Sequence, residues 1–207
     1  MDYVAFQNCK FTDDDIRCLA AFPRLKTVSF QNVVVTGQTL KCLQNCRGLE
    51  SIHLPKSDLG DEDLAHLAPL TGLTMLGAME TKVTAACLEP LKGLTNLENL
   101  MLPQSLGREL IPHLANYPKL KHFHPIPHYL TDEDMKVIGS LRQLEFLDLQ
   151  SSKLTLEGYK HLANLTEARS VQLPSQIPPG AIGYLSKMKL EYVTFPESTT
   201  IDEMRLF

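Results

Sequence analysis

Apolar residues recur along the whole chain at intervals close to 24 residues. One column of them contains, in chain order, Val4, Val28, Ile52, Leu76, Leu100, Phe123, Leu147, Val171 and Val193. A second apolar column lies two residues later in each interval, and the residues between the two columns are mostly polar. This alternation is typical of a short strand with one buried face. The pattern therefore predicts nine short strands that repeat along the chain.

A short helix is expected after each strand, because apolar residues then recur every three positions. The predicted helix-start positions are Thr12, Thr36, Gly60, Thr84, Gly107, Thr131, Thr155 and Pro178. A threonine hydroxyl accepts a hydrogen bond from a free amide of the first helical turn. The acidic runs Asp13–Asp15 and Asp132–Asp134 fit capping boxes at the positive end of the helix dipole, so we interpret them as structural. One such unit leaves its apolar face half exposed, and the units must therefore stack.

The segment Leu49-x-x-Ile52-x-Leu54-x-x-Ser57 and its copies resemble the leucine-rich repeat, L-x-x-L-x-L-x-x-N/C. The resemblance covers nearly all of the chain. It implies an α/β fold: a right-handed solenoid, or horseshoe, with a parallel sheet on the concave face and short helices on the convex face. We assign residues 1–207 to a single leucine-rich-repeat domain of eight repeats and a partial ninth. We expect this domain to be part of a longer polypeptide or to cover its ends by self-association.

Two departures from the repeat pattern predict local irregularities. The family's Asn or Cys position holds Val33 in the second repeat and Ser57 in the third, which predicts looser or hydrated turns. In the sixth repeat, Pro125 falls inside a strand that should be central. Proline lacks the amide that a sheet ladder needs, so we expect the sheet to lose hydrogen bonds there.

Composition narrows the class of protein. The 207 residues include 20 Lys and Arg against 24 Asp and Glu, for a net charge of −4, which gives no general attraction to nucleic acid or to an anionic membrane. No apolar run approaches the roughly 20 residues that span a bilayer, and no signal peptide is evident.

The five cysteines form no C-x-x-C pair, which indicates free thiols in a cytoplasmic protein. We expect Cys46 in the core and Cys18 and Cys42 on a partly exposed helical face.

The outward-pointing strand positions line the expected concave face. Most are small or polar, but large apolar side chains cluster in repeats four to seven, and such side chains are typical of a protein-binding surface. The alternative is that flanking sequence or neighbouring side chains cover them. The predicted binding residues are Met75, Met79, Met101, His122, His124, Ile126, Phe146 and Asp148.

The sequence thus favours a non-enzymatic module that binds another protein and needs no metal or cofactor. Two alternatives remain. The histidines His122 and His124, two apart on one strand, could hold a divalent metal or act as a general base together with Asp148. A solvated polar surface is the interpretation that we favour for these three residues. The other alternative is self-association through the exposed edges of the terminal strands.

Overall fold

Short strands alternate with short helices in the computed structural model, which describes residues 2–54, 56–124 and 129–195. The strands are β1 Tyr3–Gln7, β2 Thr27–Gln31, β3 Ser51–His53, β4 Met75–Gly77, β5 Asn99–Met101, β6 His122–His124, β7 Phe146–Asp148, β8 Ser170–Gln172 and β9 Tyr192–Thr194. The helices are α1 Asp13–Cys18, α2 Gly37–Leu43, α3 Asp61–Ala65, α4 Leu88–Leu91, α5 Ile111–Leu114, α6 Asp132–Ile138, α7 Leu156–Leu162 and α8 Ile182–Leu185. The predicted order of strand and helix is confirmed.

The apolar columns form the core. Neighbouring strands are parallel, and each residue pairs with the one a repeat later, so that Val28 lies beside Ile52 and Ile52 beside Leu76. These three side chains are fully buried. Successive helices pack against one another within each unit, as α1 does against α2 and α6 against α7. Each repeat therefore buries its apolar side chains between a strand, a helix and the neighbouring repeats.

The hydrogen-bonded strands form two parallel sheets, a six-stranded one from β1 to β6 and a three-stranded one from β7 to β9. The division follows β6, next to the segment in which the sequence predicts an interruption; Pro125 itself and residues 126–128 lie outside the described residues. Contacts likewise separate a first unit, residues 2–106 with 123 and 124, from a second unit, residues 107–122 with 129–195. The assignment of one domain to residues 1–207 stays a prediction.

Most helix starts agree with the sequence. The hydroxyls of Thr12, Thr36 and Thr155 accept hydrogen bonds from first-turn amides of α1, α2 and α7. Thr84 accepts one in the 3₁₀ turn Ala85–Cys87, which leads into α4. Gly107 has a non-helical φ of 49° within the 3₁₀ segment Gln104–Leu110, and the turn that follows it leads into α5 at Ile111. One predicted start is wrong. After Pro178, Gly180 has a φ of 81°, which is outside helical geometry and delays the start of α8 to Ile182.

The acidic runs are structural, as predicted. Asp15 accepts a hydrogen bond from the Thr12 amide at 2.7 Å, and the Thr12 hydroxyl accepts one from the Asp15 amide in return. Other carboxylates link one repeat to the next. Both oxygens of Asp132 accept hydrogen bonds from Thr155, one from its amide at 3.0 Å and one from its hydroxyl at 2.6 Å. The same residue thus begins one helix and fixes the start of the next.

One inter-repeat carboxylate is paired with an arginine. Asp134 accepts hydrogen bonds from the Thr131 amide and hydroxyl, both at 2.7 Å, and from Arg108 Nε at 2.9 Å. Arg108 Nη2 lies 2.8 Å from the same carboxylate in an ion pair. Burial on its own would raise the pKa of Asp134, but the hydrogen bonds from Arg108 and Thr131 outweigh it and hold that pKa below its usual value. Because the folded state lowers this pKa, the carboxylate stabilises the fold above its unfolded pKa of about 3.9. That contribution is lost as the pH falls through the folded pKa.

We predict that Arg108→Gln lowers the free energy of unfolding at about pH 7 by about 1 kcal/mol, a modest value because half of the Arg108 side chain is exposed. The difference from wild type should shrink as the pH falls below about 3.9, and it should vanish once the pH has passed through the lowered pKa of Asp134 and the carboxylate is protonated. Urea denaturation over this pH range measures both effects. Arg142→Gln is the matched control, since Arg142 is exposed and makes no ion pair among the described residues. A loss of unfolding free energy that does not change with pH would contradict the assignment of an ion pair between Arg108 and Asp134.

The five cysteines are free thiols, but their exposure differs from the expectation in one case. Cys9 and Cys18 are exposed and Cys46 is buried, whereas Cys42, which was expected on a partly exposed face, is also buried. It lies near the end of α2, whose apolar face is covered by the neighbouring helices. Cys87 is buried as well, and this burial raises the pKa of its thiol to about 12. Burial also raises the pKa of Cys46.

We therefore predict that only Cys9 and Cys18 react rapidly with an aromatic disulfide reagent at about pH 8, because the thiolate is the reactive form and the other three thiols are buried. Absorbance of the released thiol should show two groups in the native protein and five in denaturant. The variant with both Cys9→Ser and Cys18→Ser should show no rapid reaction. Rapid modification of that variant would mean that the helices open readily.

Candidate functional site

The outward-pointing side chains of the first unit's strands form one continuous surface, which we call the sheet face. Pleating places alternate residues on opposite sides of a strand, so the residues that flank each buried core position lie on this face. They are Tyr3, Ala5, Gln7, Thr27, Ser29, Gln31, Ser51, His53, Met75, Gly77, Asn99 and Met101. None of them is Asp, Glu, Lys or Arg, although 21% of the chain is charged.

Two of the predicted binding residues, Met75 and Met101, lie on the sheet face, and a third, Met79, lies in the turn just after β4. Met75 begins β4 and Met101 ends β5, and the register sets Met101 directly beside Gly77. Both methionines are partly exposed. Met79 follows β4 and is 46% exposed, a high value for a large apolar side chain. The Ser51 hydroxyl donates a hydrogen bond to the Met75 sulfur at 3.3 Å, which holds that thioether against its neighbour in β3.

The other predicted binding residues lie at and beyond β6. His122 is exposed and His124 is half-buried. Phe146 and Asp148 are half-buried at the two ends of β7 in the second unit. Ile126 lies outside the described residues. These five positions stay a prediction as members of a binding surface.

The Asp148 carboxylate makes a local contact: its Oδ1 accepts a hydrogen bond from the Gln150 amide at 2.8 Å. In the described parts of the chain, no three His, Cys, Asp or Glu side chains are close enough together to hold a metal ion. The described geometry therefore adds nothing to the alternative of a metal site at His122, His124 and Asp148.

The sequence did not predict a second feature, a groove of about 670 Å³ between the loops that follow β2, β3 and β4. Its apolar lining includes Val33, Val34, Val35 and Leu59, and its charged lining includes Lys56, Asp58, Glu80 and Lys82. Asp58 and Lys82 form an ion pair at 2.8 Å, and the hydrogen bond and charge of Lys82 lower the pKa of Asp58. The run of three valines, with Val34 82% exposed, is the signal that could have indicated the groove.

The turn position that is Asn or Cys in the repeat consensus is filled in different ways. Ser152 accepts a hydrogen bond from the Leu130 amide of the preceding repeat at 3.2 Å, whereas the buried hydroxyl oxygen of Ser57 has no partner among the described residues. One residue before this position in the first two repeats, Asn8 and Asn32 have φ values of 49° and 52°. The side-chain amide of Asn32 donates a hydrogen bond to the side-chain oxygen of Asn8 at 3.1 Å. This asparagine contact lies one position before the Asn or Cys of the repeat consensus.

The stacked units match known structures. Among solved chains, 217 resemble this one. One of them is an internalin (inlF) from Listeria monocytogenes str. 4b F2365, with 17% sequence identity and a TM-score of 0.56 over 100% of this chain and 71% of that chain. The protein has the leucine-rich-repeat fold. No protein-family model matches the sequence, and neither does any curated protein.

In a leucine-rich-repeat solenoid, the strand residues that point away from the core are free of packing constraints and form an extended surface. The sheet face of the first unit is such a surface. No helix in the described part of this leucine-rich-repeat chain is long and apolar enough to cross a membrane.

Proposed function

We propose that this protein is a protein-interaction module that binds its partner through the sheet face, with Met75, Met79 and Met101 as anchors in the first unit. The observation that carries the proposal is the absence of charged residues from the sheet face. The central region of a protein interface is depleted of charged side chains and enriched in methionine and aromatic residues. Elsewhere on the chain, charged side chains are common and many form ion pairs.

Exposure of the methionines supports the same function. Soluble proteins seldom expose clusters of large apolar side chains without a use for them. Met79 is nearly half exposed, and Met75 and Met101 are partly exposed beside it. Methionine is flexible and polarizable, so its side chain adapts to an apolar partner.

Buried leucines and backbone hydrogen bonds fix the backbone beneath these side chains. Leu76 and Leu100, which alternate with the exposed methionines, are buried to 99% or more. Backbone hydrogen bonds also join the ends of the strands, as from the Ala78 amide to the Met101 carbonyl at 2.7 Å. Because the surface is preformed, binding would order few additional groups, which favours affinity.

Binding fits the chemistry of the sheet face better than catalysis does. Ser51 and His53 lie two apart on β3, but the Ser51 hydroxyl donates its hydrogen bond to the Met75 sulfur and not to the imidazole. A serine nucleophile requires a base within hydrogen-bond reach. The free thiols of the chain, including the exposed Cys9 and Cys18, are typical of a reducing compartment, and we propose a cytoplasmic location.

We propose the other predicted binding residues as further contacts with a partner. Phe146 is a half-buried aromatic residue on the outward side of β7 in the second unit, the kind of residue that often dominates an interface. His122, His124 and Asp148 would contribute polar contacts, and Ile126 a further apolar one. These assignments rest on the strand pattern.

We predict that changing Met79, Met101 and Phe146 together to Ser reduces partner capture at least tenfold, because truncating interface anchors costs about 2 kcal/mol or more. Quantitative mass spectrometry after proximity labelling in the native host would compare the variant with the wild-type chain. The matched control changes Phe22, Val34 and Leu156 to Ser, since these side chains are also apolar and exposed but lie off the sheet face. Capture that survives the first change, or that is lost only in the control, would contradict the proposal.

A further inference from the structure

The groove between the loops that follow β2, β3 and β4 has a projecting apolar side chain at its edge. Val34 is 82% exposed, although Val33 and Val35 on either side of it are buried. All three valines and Leu59 line the groove, whose volume of about 670 Å³ leaves room for side chains from another molecule. The first unit therefore presents an apolar projection directly beside a groove with apolar walls.

The stacking of repeats does not require an apolar residue at position 34. The equivalent positions one repeat before, one repeat after and two repeats after hold Lys10, Asp58 and Lys82, and all three are exposed. Val34 is instead continuous with the apolar lining of the groove. A continuous apolar surface with a polar rim is typical of an interaction site.

The rim of the groove carries one unpaired cation and one unpaired anion. Lys56 and Glu80 hold the same position in successive repeats, and the Ser57 amide donates a hydrogen bond to the Glu80 carbonyl at 3.0 Å. Both charged side chains are exposed, and neither makes an ion pair within the part of the chain that the structure describes. Each is therefore available to a charge of opposite sign on an incoming surface.

The other charged residues of the groove already have partners within the chain. Asp58 and Lys82 form an ion pair with each other at 2.8 Å. Asp63 accepts a hydrogen bond from the Gly60 amide at 2.8 Å, at the start of α3. The charges that the groove offers to another molecule are thus one cation, Lys56, and one anion, Glu80.

This combination is self-complementary. A two-fold symmetric contact between two copies of a chain needs both halves of every interaction on the same surface, because each residue that contacts another is itself contacted in return. The groove has both halves: an apolar projection with an apolar recess beside it, and a cation with an anion one repeat away. An unrelated partner would need only one half of each from this chain, so the surface favours a second copy.

We propose that the groove is the contact surface of a symmetric dimer of this chain. Val34 of each copy enters the groove of the other copy and packs against its apolar lining, and Lys56 of each copy pairs with Glu80 of the other. The surface consists of loops outside the sheet face and does not involve the edges of the terminal strands. The inference is therefore independent of the proposed function.

Sedimentation equilibrium of the 207-residue chain over a concentration series tests the dimer directly. We expect a reversible equilibrium between the monomer and a species of twice its mass. Val34→Lys introduces the residue type that positions 10 and 82 hold, and it should weaken the dimer at least tenfold, because it would place an ammonium group against an apolar lining. Leu156→Lys is the matched control, since Leu156 is also apolar and exposed but lies at the start of α7, and it should dimerise like the wild type.

Charge reversal tests the pairing between copies without changing Val34. Lys56→Glu and Glu80→Lys should each weaken the dimer at least tenfold, because each variant on its own brings like charges together twice. A mixture of the two variant proteins should form a heterodimer about as stable as the wild-type dimer, because both contacts then join opposite charges. A contact within one copy could not produce this recovery, and the recovery also shows that both variants are folded.

Three results would overturn the inference. A wild-type chain that stays monomeric up to its solubility limit would mean that the groove serves a different partner or none. A dimer that Val34→Lys does not weaken would use another surface. Failure of the Lys56→Glu and Glu80→Lys proteins to associate with each other would exclude the pairing of Lys56 with Glu80.

Discussion

The burial of apolar columns between successive repeats is the interaction on which the rest of the structure depends. A three-residue strand and a helix of four to seven residues cannot be stable alone, because an isolated helix this short is marginal in water. Their stability comes from contact with the repeats before and after, as in the column of Val28, Ile52 and Leu76. Every polar feature of the chain is placed by that stacking, including the spacing of the side chains on the sheet face.

Polar contacts between repeats fix the register that the apolar contacts alone would leave loose. Apolar contact is not directional, whereas the bonds from Thr84 to Asp61 at 2.7 Å and from Thr155 to Asp132 tolerate little displacement. Small residues make these contacts possible: a Cβ on Gly158 would collide with the Asp132 carboxylate. The acidic runs therefore serve both the start of their own helix and its alignment with the next one.

The sequence was sufficient to predict the strands, most helix starts and the leucine-rich-repeat fold, because these features follow from a period that is repeated many times. The sequence did not predict local features that depend on a single residue and do not recur in every repeat. Gly107 and Gly180 adopt positive φ values that no pattern of apolar residues shows, and the burial of Cys42 depends on the neighbouring helices. The groove beside Val34 depends on how far three loops stand apart. The sequence places Met75, Met79 and Met101 near one another, whereas the position of Met101 directly beside Gly77 required the strand pairing.

Folding constrains the core residues of a strand more than its outward residues. The residue types on the sheet face therefore carry information about function that the core residues do not. The stacking of repeats requires Leu76 and Leu100 to be apolar, but it requires nothing of Met75, Gly77 or Met101 beyond compatibility with a strand. Lys, Glu and Thr would be accommodated there with better solubility. A glycine in a three-residue strand even lowers the stability of the sheet. The composition of this face is therefore unexplained by folding, and the proposed contact with an uncharged partner surface would account for the methionines.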